Sequence, residues 1–308
     1  MAEIGFVGLG RMGGNMALRL VKRGHRVVGF DLSPATVETL AGQGTVGAPS
    51  WEDFVKNFES RPRVMWIMVP AGDPTTQAID KLIELGEPGD IIVDGGNTNW
   101  KIALQDCARV NAKGMHYVDA GTSGGIWGNE YGYCLMVGAE PEVYQQLLPL
   151  LNDLAPDDGG LVHTGPEGSG HFVKMVHNGI EYGLMQAYAE GFQIMKSSKS
   201  FPAMDMRAIA EAWRTGSVVR SWLLDLVARG LAEDPELSGI KGWVEDTGEG
   251  RWTVEAAIEE SVPTPVIAES LFARFRSRME NTFGDRMLAM MRAQFGGHGV
   301  VKSAPTQK

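Results

Sequence analysis

Ile4-Gly5-Phe6-Val7 runs directly into Gly8-Leu9-Gly10-Arg11-Met12-Gly13. The short apolar run reads as a buried strand, and Asn15 to Arg23, closed by Gly24, reads as a helix. Arg26-Val27-Val28-Gly29-Phe30-Asp31 is then a second strand, and Asp31 falls 23 residues after Gly8. Few folds accept a strand, a glycine turn, a helix and a strand ending in an acid. The glycines allow a tight turn and close approach of the backbone to a pyrophosphate, whose charge faces the helix N-terminus. The glycine pattern alone is weak evidence. Its context, with a strand before, a helix after and Asp31 in place, makes it specific for a dinucleotide. Gly8, Leu9, Gly10, Arg11, Met12 and Gly13 are therefore candidate cofactor contacts. An Asp31 carboxylate can accept hydrogen bonds from ribose hydroxyls and would repel a 2′-phosphate. Leu32-Ser33-Pro34 offers no arginine to hold such a phosphate, so NAD is expected over NADP.

Strands alternate with helices from there on. Arg63 to Val69 reads as a strand closed by Pro70-Ala71-Gly72, and Asp90 to Asp94 as a strand ending in Gly95-Gly96-Asn97. Gly114 to Ala120 runs into a small-residue loop, Gly121-Thr122-Ser123-Gly124-Gly125-Ile126-Trp127-Gly128. Helices fit 35–41, 74–86 and 99–113. The fold class is an α/β Rossmann-type doubly wound parallel sheet, followed by an all-α C-terminal domain. Ligands of such sheets gather at the carboxyl ends of the strands, which places Val69, Pro70, Ala71 and Asn97 near the cofactor. A turn asparagine is usually structural, but this position favours a ligand contact. The loop at Ser123, Gly124 and Gly125 offers backbone N–H groups and hydroxyls to an anion. Tyr133 to Gly138 closes the sheet region, 141–154 is expected as a helix, and Leu161 to His163 as a last strand.

Beyond residue 167 the pattern becomes helical, over 170–197, 203–214, 218–229 and 264–295, with Ala232 to Trp252 expected as loops. This divides the chain into a dinucleotide-binding domain, 1–166, and a helical substrate and dimerisation domain, 167–308. On the first of these helices Lys174, His177, Asn178, Glu181 and Tyr182 share an arc of roughly 140°. Phe172, Val173, Met175, Val176 and Ile180 make the expected core face. The polar stripe is either a solvated face or the wall of a site. On the second reading Lys174 and Glu181, about two turns apart, form an acid–base pair.

The net charge of −10 over 308 residues argues against non-specific nucleic-acid binding. No apolar run approaches bilayer length and no signal-peptide pattern opens the chain, so no membrane partner is expected. Cys107 and Cys134 have neither disulfide-framework nor metal-ligand spacing, so no metal and a reduced, cytoplasmic setting are expected. In so acidic a chain the arginines near the end, including Arg274 and Arg292, are the natural anion contacts.

These motifs resemble 6-phosphogluconate dehydrogenase, and in particular the short, NAD-preferring form of that family. The resemblance covers nearly the whole chain. It rests on the glycine turn, Asp94-Gly95-Gly96-Asn97, Gly121-Thr122-Ser123-Gly124-Gly125, His171 to Tyr182, and Arg292-Ala293-Gln294-Phe295-Gly296-Gly297-His298. It implies oxidative decarboxylation of 6-phospho-D-gluconate to ribulose 5-phosphate and CO2 in the pentose phosphate pathway. It also implies Lys174 as general base and Glu181 as general acid, with Asn178 beside them. Asn97, Ser123, Gly124, Gly125, His177 and Asn178 match positions that hold the sugar acid. Tyr182 and Arg274 match phosphate contacts, and Arg292 and His298 match groups that long enzymes of the family supply from a neighbouring subunit. A homodimer or homotetramer is implied. The family's long enzymes carry a substrate lysine where this chain has Thr247, which leaves Arg251 as the candidate substitute. The closest alternative is another β-hydroxyacid dehydrogenase, of the 3-hydroxyisobutyrate or tartronate semialdehyde type. Those relatives typically carry Asn-Asn where this chain has His177-Asn178. An alternative of another class is a catalytically silent NAD-binding regulator on the same fold.

Overall fold

Eight strands form one sheet in the computed structural model, which describes residues 1–296, 299 and 301. They are β1 (Glu3–Val7), β2 (Arg26–Phe30), β3 (Val46–Ala48), β4 (Val64–Ile67), β5 (Ile91–Asp94), β6 (His116–Ser123), β7 (Cys134–Gly138) and β8 (Leu161–Gly165). Their order across the sheet is β3-β2-β1-β4-β5-β6-β7-β8. The reversal after β1 is the switch point at which doubly wound sheets bind ligands. Helices α1 (Arg11–Lys22), α2 (Pro34–Ala41), α3 (Trp51–Lys56), α4 (Asp73–Leu85), α5 (Trp100–Asn111), α6 (Gly128–Tyr131) and α7 (Pro141–Leu154) complete this part.

The sheet is buried on both faces, so its strands are apolar on both sides. Ile4, Phe6 and Trp66 pack with Met16 and Leu20 of α1 and Leu147 and Leu151 of α7. Val7, Phe30, Ile67 and Ile92 pack on the other face with Phe54, Ile79 and Leu82. Fully burying a side chain of this size contributes about 1.5–3 kcal/mol, and the polar residues these strands do bury, Asp94, Asp119 and Thr122, lie toward their carboxyl ends.

Several expectations are corrected. Helix α1 starts at Arg11, not Asn15, so the last residues of the glycine motif form its first turn. Strand β3 and helix α3 went unforeseen, because three residues with a central glycine and six helical residues are too short to show a period. The sheet is not wholly parallel: β7 runs antiparallel to β6, and β8 runs parallel to β7. Gly121, Thr122 and Ser123 belong to β6 rather than to a loop, paired with Met136, Leu135 and Cys134. The turn begins only at Gly124.

Helix α8 (Ser169–Lys196) follows β8 at once. Contacts divide the chain into two units, Met1–Ile180 and the remainder from Glu181. The second unit holds α9 (Met206–Trp213), α10 (Trp222–Glu233), α11 (Glu249–Glu259), α12 (Pro265–Ser277) and α13 (Phe283–Gly296). Met206, Ala210, Leu224, Ala228 and Leu231 form its core, against Tyr188 and Phe192. Helix α11 lies partly where only loops were expected; the glycines before it hid its start. The helix expected over 264–295 is two helices, parted at Arg278 to Thr282, where Asn281 takes a positive φ of 48°. Among the described residues no helix is long and apolar enough to cross a membrane.

Candidate active site

The glycine turn is built by close backbone contact. Gly8 has φ 92°, a conformation that favours glycine, and a Cβ on Gly13 would lie 2.0 Å from the Gly8 carbonyl oxygen. A Cβ on Gly10 would meet nothing within 4 Å, so that stretch of backbone is open to a ligand. Arg11 is exposed, and the first turn of α1 holds no acid that would compete with an anion at its N-terminus. Asp31 holds the turn from the end of β2. Its Oδ2 accepts from Leu9 N at 2.7 Å and its Oδ1 from Ser33 N at 2.8 Å. Asp31 thus shapes the loop as well as standing where a ribose would lie. Pro70 and Ala71 are exposed beyond β4, and Val69 is half-buried. Their turn is tied by Thr75 Oγ1, which donates to Pro70 O at 3.0 Å. These residues fit a dinucleotide: an open backbone cradle, an uncapped helix start and a ribose carboxylate.

Asn97 ends the turn after β5 in the left-handed region, φ 55°. Its amide makes a two-way contact with β6: Thr122 N donates to Oδ1 at 3.0 Å, and Nδ2 donates to Thr122 O at 3.3 Å. The Asn97 turn and the Ser123 end of β6 are thereby held side by side.

Helix α8 reaches this place because β7 and β8 are reversed. The chain leaves β8 beside the middle of β6, and α8 climbs along β6 toward its carboxyl end. A Cβ on Gly170 would sit 2.5 Å from Asp119 O and 2.5 Å from Met136 O, and a Cβ on Gly121 would sit 2.4 Å from Lys174 Cβ. Helix and sheet therefore meet backbone to backbone, and Lys174 is 5% exposed. Its Nζ donates to Asn178 Oδ1, which also accepts from His177 Nδ1 at 2.9 Å. Asn178 thus links the lysine and the histidine. The Lys174 ammonium acts on Cys134 opposite Ser123: burial raises that thiol's pKa, and the lysine pulls it back.

The inside and outside of α8 differ from expectation. Val173 and Ile180, read as core, are 37% and 52% exposed, whereas the polar Lys174 and Tyr182 are buried. Apolar character alone does not mark the inner face of a helix whose polar groups have partners.

In the second unit the Tyr182 ring is sandwiched. A Cβ on Gly250 would lie 2.5 Å from Tyr182 Cε2, and the Arg274 guanidinium sits 3.5 Å from the ring centroid. Thr247 N donates to the Tyr182 hydroxyl oxygen at 3.3 Å, and Arg274 Nη1 donates to Glu245 O at 2.7 Å. Tyr182 and Arg274 are thus brought together at the N-terminus of α11. Arg251, the candidate substitute for the family's lysine, is instead engaged with Asp246 and lies over Phe275, 4.4 Å from the centroid. Asp246 takes Arg278 as well, at 2.7 Å. Hydrogen bonding to Arg251 and then Arg278 holds the Asp246 pKa below its ordinary value, against burial. Arg292 is exposed on α13, and His298 lies outside the described residues.

Sequence reasoning assigned nothing to Asp94, His171 and Asp119, which are buried together beneath α8. Asp94 and His171 both sit inside quoted motifs. Only the fold reveals that they meet, since 77 residues separate them.

A doubly wound sheet with this turn at its switch point, followed by helices, defines a dinucleotide-dependent oxidoreductase. Residues 3–165 match the NAD binding domain of 6-phosphogluconate dehydrogenase, and residues 170–299 match the C-terminal domain of the same enzyme. The chain belongs to the 6-phosphogluconate dehydrogenase family. It is 40% identical over 301 residues to the NAD(+)-dependent, decarboxylating 6-phosphogluconate dehydrogenase of Haloferax volcanii, covering 97% of this chain and 99% of that one. The solved structure of Plasmodium falciparum 6-phosphogluconate dehydrogenase superposes with a TM-score of 0.83 at 26% identity, over 99% of this chain and 67% of that one. Mycobacterium tuberculosis 3-hydroxyisobutyrate dehydrogenase shares the fold, with a TM-score of 0.71 at 22% identity over 88% and 91% of the two chains.

Proposed function

We propose that the protein oxidises and decarboxylates 6-phospho-D-gluconate to ribulose 5-phosphate and CO2, with NAD as electron acceptor. The observation that carries this is the buried Lys174, hydrogen-bonded to Asn178 beside His177, on a helix whose Lys174 to Tyr182 pattern lies within a full-length family match. A bound nicotinamide would supply the acceptor for the hydride leaving C3. Lys174, acting as the base, takes the proton of the C3 hydroxyl. The resulting β-keto acid loses CO2, and protonated Lys174 stabilises the enolate oxygen. Glu181 then gives a proton to C1 of the enediol. Asn178 and His177 fix the lysine and contact the sugar acid, together with Asn97, Ser123, Gly124 and Gly125. Tyr182 and Arg274 hold the phosphate at the start of α11, and Arg292 and His298 complete substrate binding, from the same copy of the chain or from a second one. The turn from Gly8 to Gly13, with Asp31, Val69, Pro70, Ala71 and Asn97, holds the cofactor. The domain boundary we propose falls between residues 166 and 167; the gap between the two family matches supports it.

The working form is a homodimer or homotetramer in the cytoplasm. Helix α13 supports the assembly: Phe283, Met287, Leu288, Met290 and Met291 are 41–69% exposed on it, an apolar surface that one copy leaves uncovered.

Formation of NADH together with CO2 from 6-phosphogluconate tests this reading. Turnover of 3-hydroxyisobutyrate or tartronate semialdehyde in its place would give the site to the rival β-hydroxyacid chemistry. A preference for NADP would overturn the role of Asp31 in cofactor choice.

A further inference from the structure

The buried groups under α8 form one connected system. Asp94, at the end of β5, is fully buried. Its Oδ2 lies 3.1 Å from His171 Nε2 and accepts from the Tyr117 hydroxyl at 3.2 Å. Its Oδ1 accepts from Gly96 N at 2.9 Å, which shapes the turn leading to Asn97. One carboxylate thus holds the first turn of α8 through His171 and the Asn97 turn through Gly96. Asp119 of β6 reinforces the helix side, accepting from Gly168 N at 2.6 Å and His171 N at 2.7 Å. The helix start is capped by a strand residue from beneath rather than by its own N-cap. Burial by itself would raise the Asp94 pKa; the His171 charge and hydrogen bond and the Gly96 N–H outweigh it, and the pKa is lowered.

A buried histidine–carboxylate pair is weak evidence for stability, since apolar residues of equal volume often do as well. Here the pair stands one helical turn before Lys174. We propose that Asp94 and His171 are a positioning pair: they set the amine of Lys174 relative to Asn97, and so act on the reaction without touching substrate. This rests on the reading of Lys174 as the base. Without the pair, the first turn of α8 keeps its packing and its Asp119 bonds but loses the side-chain link to the Asn97 turn. Lys174, three residues on, then moves relative to the Asn97 turn.

Two substitutions separate positioning from packing. His171→Gln can place an amide N–H where Nε2 stood, whereas His171→Leu fills the space without a donor. Full-length His171→Leu is expected to bind NAD within about twofold of wild type while kcat falls about tenfold to a hundredfold, as displacement of a reacting group by about 1 Å does. His171→Gln is expected to recover most of that loss. Reductive methylation of Lys174, followed by peptide mass spectrometry, should be severalfold faster in His171→Leu than in wild type or His171→Gln. Equal kcat in the two variants, or unchanged Lys174 labelling in folded His171→Leu, would reduce the pair to core packing. If His171→Leu does not fold, His171→Met, a more pliant apolar replacement that also lacks the donor, takes its place; wild-type kcat and labelling in it would then overturn the proposal. The labelling needs no substrate. A wild-type protein inactive on 6-phosphogluconate would therefore count against the proposed function while the labelling still decided the pair.

Discussion

On the proposed mechanism the chemistry depends on Lys174, and its removal should be felt in the rate rather than in the fold. Lys174→Ala is expected to lower kcat by about 10²–10⁴ while NAD binding, followed by fluorescence quenching, changes little. Near-normal turnover would remove it from the mechanism. Asp106 offers a different test at the same scale. Burial first, and then the Asp94 charge, raise its pKa to about 6 from an ordinary value of 3.8. The folded state therefore holds more protons than the unfolded chain between those values. Stability contributed by this group is full below about pH 4, is lost as pH rises through about 6, and stays lost above. The Arg109 guanidinium, 2.6 Å away, offsets part of the cost. Asp106→Asn is thus expected to stabilise the protein by about 1–2 kcal/mol at pH 7 and by nothing at pH 4, read from urea melts at the two pH values.

At the scale of elements, the contact between α8 and β6 decides where Lys174 stands. Gly121→Ala would place a methyl 2.4 Å from Lys174 Cβ and 2.8 Å from Gly170 O. Such overpacking costs typically about 1–3 kcal/mol, and here it also lifts the helix. Both a lower urea midpoint and a lower kcat are expected; a melt and a rate like those of wild type would mean that the contact yields. The same contact explains what the sequence could and could not reveal. The turn from Gly8 to Gly13, the strands around Val28, Trp66 and Val93, and helix α8 were legible because local period and glycine spacing determine them. Strand β3, α3 and the start of α11 were not, since each is short and held by tertiary contacts. The reversal of β7 leaves no local trace, because an antiparallel strand buried on both faces is as apolar as a parallel one. Lys174, Asn178 and Glu181 stood out by their types along one helix. Asp94 and His171 did not, because their pairing exists only once β5 and α8 are adjacent.

For the whole molecule, the uncovered apolar side chains of α13 carry the assembly prediction. If a second copy completes the site, specific activity should fall as the protein is diluted through the dissociation of the dimer, in step with the sedimentation coefficient. Constant specific activity across that range would make each chain self-sufficient. The reversal of β7 and β8 has a further consequence, for how such proteins can diversify. The chain leaves the sheet already running toward the carboxyl ends of β1 to β6, and Lys174 comes within the first two turns of α8. Everything that defines the nucleotide turn lies before that exit. Beyond the turns of α8 that carry Gly170, His171 and Lys174, the residues are thus free to vary in sequence and length while the nucleotide half stays as it is. A chimera joined after Ile180 would put that interchangeability on the bench.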